Sequence, residues 1–186
     1  MTHRRPGPFS VLVRDIVHRP GEMREVDFEV PLTEHWGEGL VSIPAGETVD
    51  VRVRLESVHE GILASGEADT EYAGVCGRCL TDIAGPVEVE FQELFAYPEK
   101  EAGDFEVQDD HVDLETLVRD GIVLSLPFQP VCRPDCPGLD PETGERLADI
   151  PSSSPRESVD PRWAVLAEFD SEPAEGAGGP ASESQT

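Results

Sequence analysis

Val49-Asp50-Val51-Arg52-Val53-Arg54-Leu55-Glu56 alternates apolar and charged side chains without a break. Successive side chains of a strand point to opposite faces, so this run buries Val49, Val51, Val53 and Leu55 and wets the rest. The same pattern precedes it, with Val26, Phe28 and Val30 set against Asp27, Glu29 and Pro31, and Pro44-Ala45-Gly46 marks a turn between the two. After it comes a long run from Gly61 to Val75, whose Gly61, Ala64, Gly66 and Ala68 predict bulges or close backbone contacts. Val87, Val89 and Phe91 then alternate with Glu88, Glu90 and Gln92, so another strand follows Pro86. Three consecutive strands with short links predict an antiparallel meander. Phe9 to Val17 is apolar enough for one more strand.

The period changes after an acidic stretch that ends at Asp110. Leu114, Leu117, Val118, Gly121 and Ile122 share one helical face, Asp113 stands where an N-cap belongs, and Pro127 ends the run. The expected helix therefore spans 114 to about 124. The fold class is α+β: an antiparallel β-sheet or partly open barrel-like meander with one main helix, a Cys/Pro-rich loop and a short C-terminal helix. That last helix, 162–169, begins after Pro161, and its Trp163 and Leu166 share a face suited to docking on the body. Residues 1–8 read as a flexible basic arm, 9–169 as a single domain containing the loop 128–149, and 170–186 as a disordered acidic tail. No repeat appears.

The chain has 186 residues and a formal net charge of −25. That length allows a core without disulfides. No run approaches the roughly 20 apolar residues of a membrane span. The N-terminus lacks the apolar segment of a secretory signal, so the expected location is the cytoplasm, where thiols stay reduced. The charge is uneven. Residues 1–24 hold five arginines against Asp15 and Glu22; the rest holds 9 basic and 37 acidic residues. Such a body does not present the clustered Lys and Arg of a broad nucleic-acid surface. It suits a basic partner, and it equally serves solubility alone.

Four cysteines fall in two close pairs, Cys76-Gly77-Arg78-Cys79 and Cys132-Arg133-Pro134-Asp135-Cys136. Two thiolates on one tight turn can reach a tetrahedral ion, and two such turns complete a four-sulfur shell. The candidate metal ligands are thus Cys76, Cys79, Cys132 and Cys136, with Zn²⁺ as the ion. The 52 residues between Cys79 and Cys132 leave their meeting to the fold. Independent free thiols or vestigial ligands, a thioredoxin-like redox pair and a regulatory disulfide are the competing readings. The redox reading wants a helix after the first cysteine, whereas here another strand follows.

The stretch from Leu126 to Gly144, with Cys132, Cys136, Gly138 and Gly144, resembles the C-terminal motif of the YceD family, the large ribosomal RNA subunit accumulation proteins. Cys76-Gly77-Arg78-Cys79-Leu80 resembles that family's CxRCL motif. Arg54 to Leu63, Phe91-Gln92-Glu93-Leu94-Phe95 and Asp160 to Leu166 match further segments in the same order, so the resemblance covers roughly residues 9–169. In many members the loop itself carries four cysteines. Asp140 and Thr143 stand where the third and fourth would be. A self-contained site in the loop is therefore excluded. Either the first pair joins the second, or this chain has lost its metal.

The resemblance implies a ribosome-biogenesis factor supporting accumulation or processing of large-subunit (23S) rRNA, without enzymatic activity. The expected partner is a basic ribosomal protein or a large-subunit assembly intermediate, with rRNA touched through the basic N-terminal arm. No membrane and no small-molecule substrate is expected. An RNA-processing enzyme and a zinc-binding or redox-sensing module are the alternatives. The sequence has no nucleophile elbow, Walker motif or dinucleotide fingerprint. The five histidines are scattered, and His59 reads as a polar turn residue.

Overall fold

The computed structural model describes residues 6–98 and 105–150. Residues up to Asp149 form one unit and those from Ile150 a second; all the strands and the helix described belong to the first. The short C-terminal helix, the docking of Trp163, the acidic tail and most of the basic arm lie outside the described residues.

The alternating run becomes β4, Thr48–Ser57, with Val49, Val51, Val53, Leu55 and Ser57 buried and Asp50, Arg52 and Arg54 exposed. Before it lie β1 (Ser10–Leu12), β2 (Met23–Pro31) and the two-residue β3 (Val41–Ser42). After it come β5 (Gly61–Val75), β6 (Asp82–Ala96), β7 (His111–Asp113) and the helix α1 (Glu115–Ser125). β4, β5 and β6 form the expected antiparallel meander, and β2 adds to the outer side of β4. β6 occupies one edge of β5 along its whole length. The other edge is shared between β4 and, at the far end, β3, which pairs Val41 with Gly74. β1 and β7 make a separate two-stranded ribbon.

The inner face of the sheet carries the core. Leu55, Ile62, Val49, Val51 and Phe95 are fully buried there, and Val118 and Ile122 of α1 close over them with Phe9, Val13 and Trp36. At roughly 1.5–3 kcal/mol for each large apolar side chain, this one face dominates the stabilisation of the fold. Ser57 is buried among apolar neighbours because its hydroxyl lies 3.1 Å from the Tyr97 hydroxyl, which also accepts the His18 N–H at 2.9 Å.

Of the two forms expected, the sheet takes the open one: among the described residues the outer edge of β2 is unpaired, and that of β6 has only a bridge from Ala96 to Glu106. Several other expectations need correction. β5 has no bulge, since it pairs β6 one for one from Gly61↔Ala96 to Val75↔Asp82. Its small residues serve close approach instead. A Cβ on Gly66 would collide with the Arg52 carbonyl oxygen and with Val53 Cα. β6 starts at Asp82, ahead of Pro86, which an edge strand tolerates. The strand expected over 9–17 stops at Leu12. There the chain turns, with the Ile16 and Val17 N–H groups donating to the Val13 carbonyl. Asp113 belongs to β7, and Leu114 is the N-cap; the Asp113 carboxylate still accepts the Glu115 N–H at 3.1 Å. His59 lies, as expected, in the link between β4 and β5.

Candidate metal centre

The first cysteine pair is the tip of the β5–β6 hairpin. Cys76 directly follows β5, and the strands close across it: its N–H donates to the Thr81 carbonyl at 2.8 Å and its carbonyl accepts the Leu80 N–H at 2.9 Å. Leu80 takes a left-handed conformation, φ 58°, to complete this turn. Within it the Arg78 N–H points at Cys76 Sγ, 3.4 Å away, and Cys79 Sγ lies 3.2 Å from Thr81 Oγ1.

The second pair comes from the proline-rich loop after α1. The Cys136 N–H donates to the Arg133 carbonyl at 3.1 Å, which curls the loop into a turn of its own. Backbone contact docks it on the first turn, with the Gly77 N–H donating to the Pro130 carbonyl at 2.8 Å. Two arginines then tie the turns together. Arg78 Nη1 donates to the carbonyls of Pro134 and Cys136, both at 3.2 Å. Arg146, arriving from the end of the loop, donates from Nε to the Cys79 carbonyl at 3.1 Å.

The four Sγ atoms meet within 4.8 Å of one another. Cys79 and Cys132 are 3.6 Å apart, and Cys76 and Cys136 4.0 Å. A tetrahedral ion with bonds of about 2.3 Å to sulfur separates its ligands by about 3.8 Å. The thiols thus fit Zn²⁺ without rearrangement of the backbone, and they are far too distant to be disulfides as they stand. Cys76, Cys79 and Cys136 are buried, with Ile83 and Leu139 packed around them, while Cys132 is exposed. This small cluster is separate from the main core.

The two turns differ electrostatically. Burial pushes the Cys76 thiol up, but the surrounding backbone N–H groups, that of Arg78 first, stabilise its thiolate and bring it down to about 6. The hydroxyl and backbone of Thr81 also lower Cys79. Cys132 is pushed up to about 12, first by its interaction with Cys136 and further by the neighbouring sulfurs of Cys79 and Cys76. Without a cation Cys76 favours its thiolate and Cys132 keeps its proton. A divalent ion supplies the charge that lets all four sulfurs ionise.

Sequence reasoning named all four cysteines but left their meeting open; the fold brings them together. It missed Arg78, Thr81 and Arg146. Arg78 lay in plain view between two cysteines, whereas nothing in the sequence marked Arg146. Asp140 and Thr143 do not join the sulfurs. Asp140 Oδ1 accepts the N–H groups of Glu142 and Thr143, and Thr143 Oγ1 accepts that of Glu145. They turn the loop so that Arg146 returns to the first cysteine turn. No histidine enters a group suited to hold a metal among the described residues, and none of their helices is long and apolar enough to cross a membrane.

A family model described as large ribosomal RNA subunit accumulation protein YceD matches residues 64–170, a span that includes both cysteine turns. An uncharacterized protein of Mycobacterium bovis is 42% identical over 171 residues, covering 87% of this chain and 81% of that protein. One of Mycobacterium leprae is 37% identical over 170 residues, covering 86% and 78%. The uncharacterized protein YlbN of Bacillus subtilis is 32% identical over 98 residues, covering 49% and 56%. No solved structure matches the chain.

Proposed function

The chain belongs to the YceD family, and from that premise we propose that it is a non-enzymatic ribosome-biogenesis factor supporting accumulation of large-subunit rRNA. The observation that carries this reading is the family match across both cysteine turns, whose four thiols are the one group suited to hold a metal among the described residues. Cys76, Cys79, Cys132 and Cys136 would hold Zn²⁺. Bound there, the ion supplies a cross-link between the β5–β6 tip and the loop after α1. Four thiols would give it the closed ligand set of a structural rather than a catalytic zinc.

Charge supports the partner side of the reading. The solvent face of the sheet sets Arg52 and Arg54 among many carboxylates. Arg52 is engaged by Glu67 at 2.9 Å and by Asp69, and Arg54 by Glu56 at 3.3 Å. A surface of this sign selects a basic ribosomal protein, or the assembling subunit through one, and the basic arm is the segment suited to rRNA phosphates. The cytoplasm, where subunits assemble and thiols stay reduced, is the matching compartment.

The test is affinity capture of the full chain from cells, with and without RNase, read for protein and RNA together. Large-subunit proteins retained after RNase support direct protein binding. Incubation with precursor rRNA and Mg²⁺ checks the enzymatic alternative, and site-specific cleavage would overturn the non-enzymatic reading.

A further inference from the structure

β2 is the strand on which the sheet stops. Among the described residues no backbone group pairs with its outer edge along Met23–Val30. In an antiparallel pair every second residue aims its N–H and C=O away from its partner, so β2 offers a row of unmet donors and acceptors to solvent. The edge of β6 is less available, because α1 packs against that strand, with Gly121 beside Val89, and Pro86 interrupts its donors.

The side chains along β2 are sorted by face. Glu25, Asp27 and Glu29 stand on the solvent face and are exposed, and none of the three makes an ion pair among the described residues. The arginines directly opposite do not close on them: Asp27 is in register with Arg52 and Glu25 with Arg54, but both guanidinium groups are drawn to carboxylates on the far side or along their own strand. Hollows of about 690 and 400 Å³ lie beside these residues on the same face. On the other face Val26 and Phe28 remain only half-buried at the rim of the core.

We propose that the free edge of β2 is a docking site for an extended, alternately basic and apolar segment of a partner protein, which adds a strand to the sheet. Backbone pairing supplies attachment, and side chains of alternate residues supply specificity. On the solvent face, lysines or arginines of the added strand would meet Glu25, Asp27 and Glu29. On the inner face, its apolar residues would cover Val26 and Phe28. The charges exclude a second copy of this chain as occupant, since pairing β2 with itself puts carboxylate opposite carboxylate. The proposal rests on the reading that the partner is a basic protein, and assigns where and how that partner is held.

The probe is a synthetic peptide of alternating lysine and valine, equal to β2 in length, added to the full chain. The expected result is binding that protects amides within residues 23–30 from hydrogen exchange. The same peptide N-methylated at every backbone amide keeps its charge but loses its donors, and should bind at least about tenfold more weakly. Asp27→Lys, an exposed change whose folding is checked by circular dichroism, should also weaken binding about tenfold. Equal binding of the two peptides, or protection confined to residues outside β2, overturns the proposal. If the Asp27→Lys chain still captures the same ribosomal proteins from cells as the unmodified chain, the edge assignment falls while the basic-partner reading stands. If the unmodified chain captures no basic protein, the reading beneath it falls as well.

Discussion

Arg78 does what no cysteine of the cluster can do alone. Its backbone N–H faces Cys76 Sγ while its guanidinium holds the carbonyls of Pro134 and Cys136. One residue therefore orients sulfur on one turn and backbone on the other. Arg78→Ala should lower Zn²⁺ affinity by about 10- to 100-fold, measured by competition with a chelator, because outer partners of this kind fix the ligand geometry. Arg78→Lys should recover part of the loss, since one nitrogen, Nη1, meets both carbonyls and an ammonium also has donors enough for two. The thiols also set a pH dependence. Cys76 is lowered to about 6 from 9.0, so its thiolate favours the metal-free fold above pH 9 and that contribution fades as pH falls through about 6. Cys132 is raised to about 12, so it favours the fold while protonated and must release its proton to take a metal. Adding Zn²⁺ at neutral pH should therefore release protons into weakly buffered solution, and affinity should fall steadily as the pH is lowered towards 6.

Among the elements, β5 is the one on which the architecture turns. It pairs with β6 on one side and with β4 and β3 on the other, and its small residues let those neighbours come close. Gly66→Ala should cost about 1–3 kcal/mol in urea unfolding, because the added carbon meets the backbone of β4 rather than a movable side chain. Tyr97→Phe should cost a similar amount, about 1–3 kcal/mol, by leaving the buried Ser57 hydroxyl and the His18 N–H without their shared partner. The alternation in β4 and β6 was legible in the sequence because each strand buries one face only. The strand expected over 9–17 was not separable from a turn: Val11, Val13 and Ile16 are all buried, yet the chain between them changes direction. β7 is three residues long and exists through its pairing with β1, a partner about a hundred positions away that local pattern cannot reveal.

For the molecule as a whole, the cysteine pairs show what sequence spacing can and cannot carry. Each pair was recognisable as a ligand turn from its own residues, but their union depended on where a long hairpin ends and where the chain leaves α1. β5 and β6 project one turn, and the loop after α1 brings back the other; Pro130 and Arg146 dock it. The substitutions at Asp140 and Thr143 likewise acquire a meaning only in three dimensions, as loop-turning residues beside a site completed by the hairpin. The acidic surface bears on the proposed partner at this range, since any attraction for a basic protein would be long-ranged and screened by ions. Capture of ribosomal proteins by the full chain should weaken strongly as salt is raised from low to physiological strength and beyond. The sharing of one ion by both turns is open to a decisive measurement: elemental analysis of protein purified without added metal, alongside Cys76→Ser and Cys132→Ser. A shared site gives one Zn²⁺ per chain, lost in both variants alike; retention of the metal in either one would contradict it.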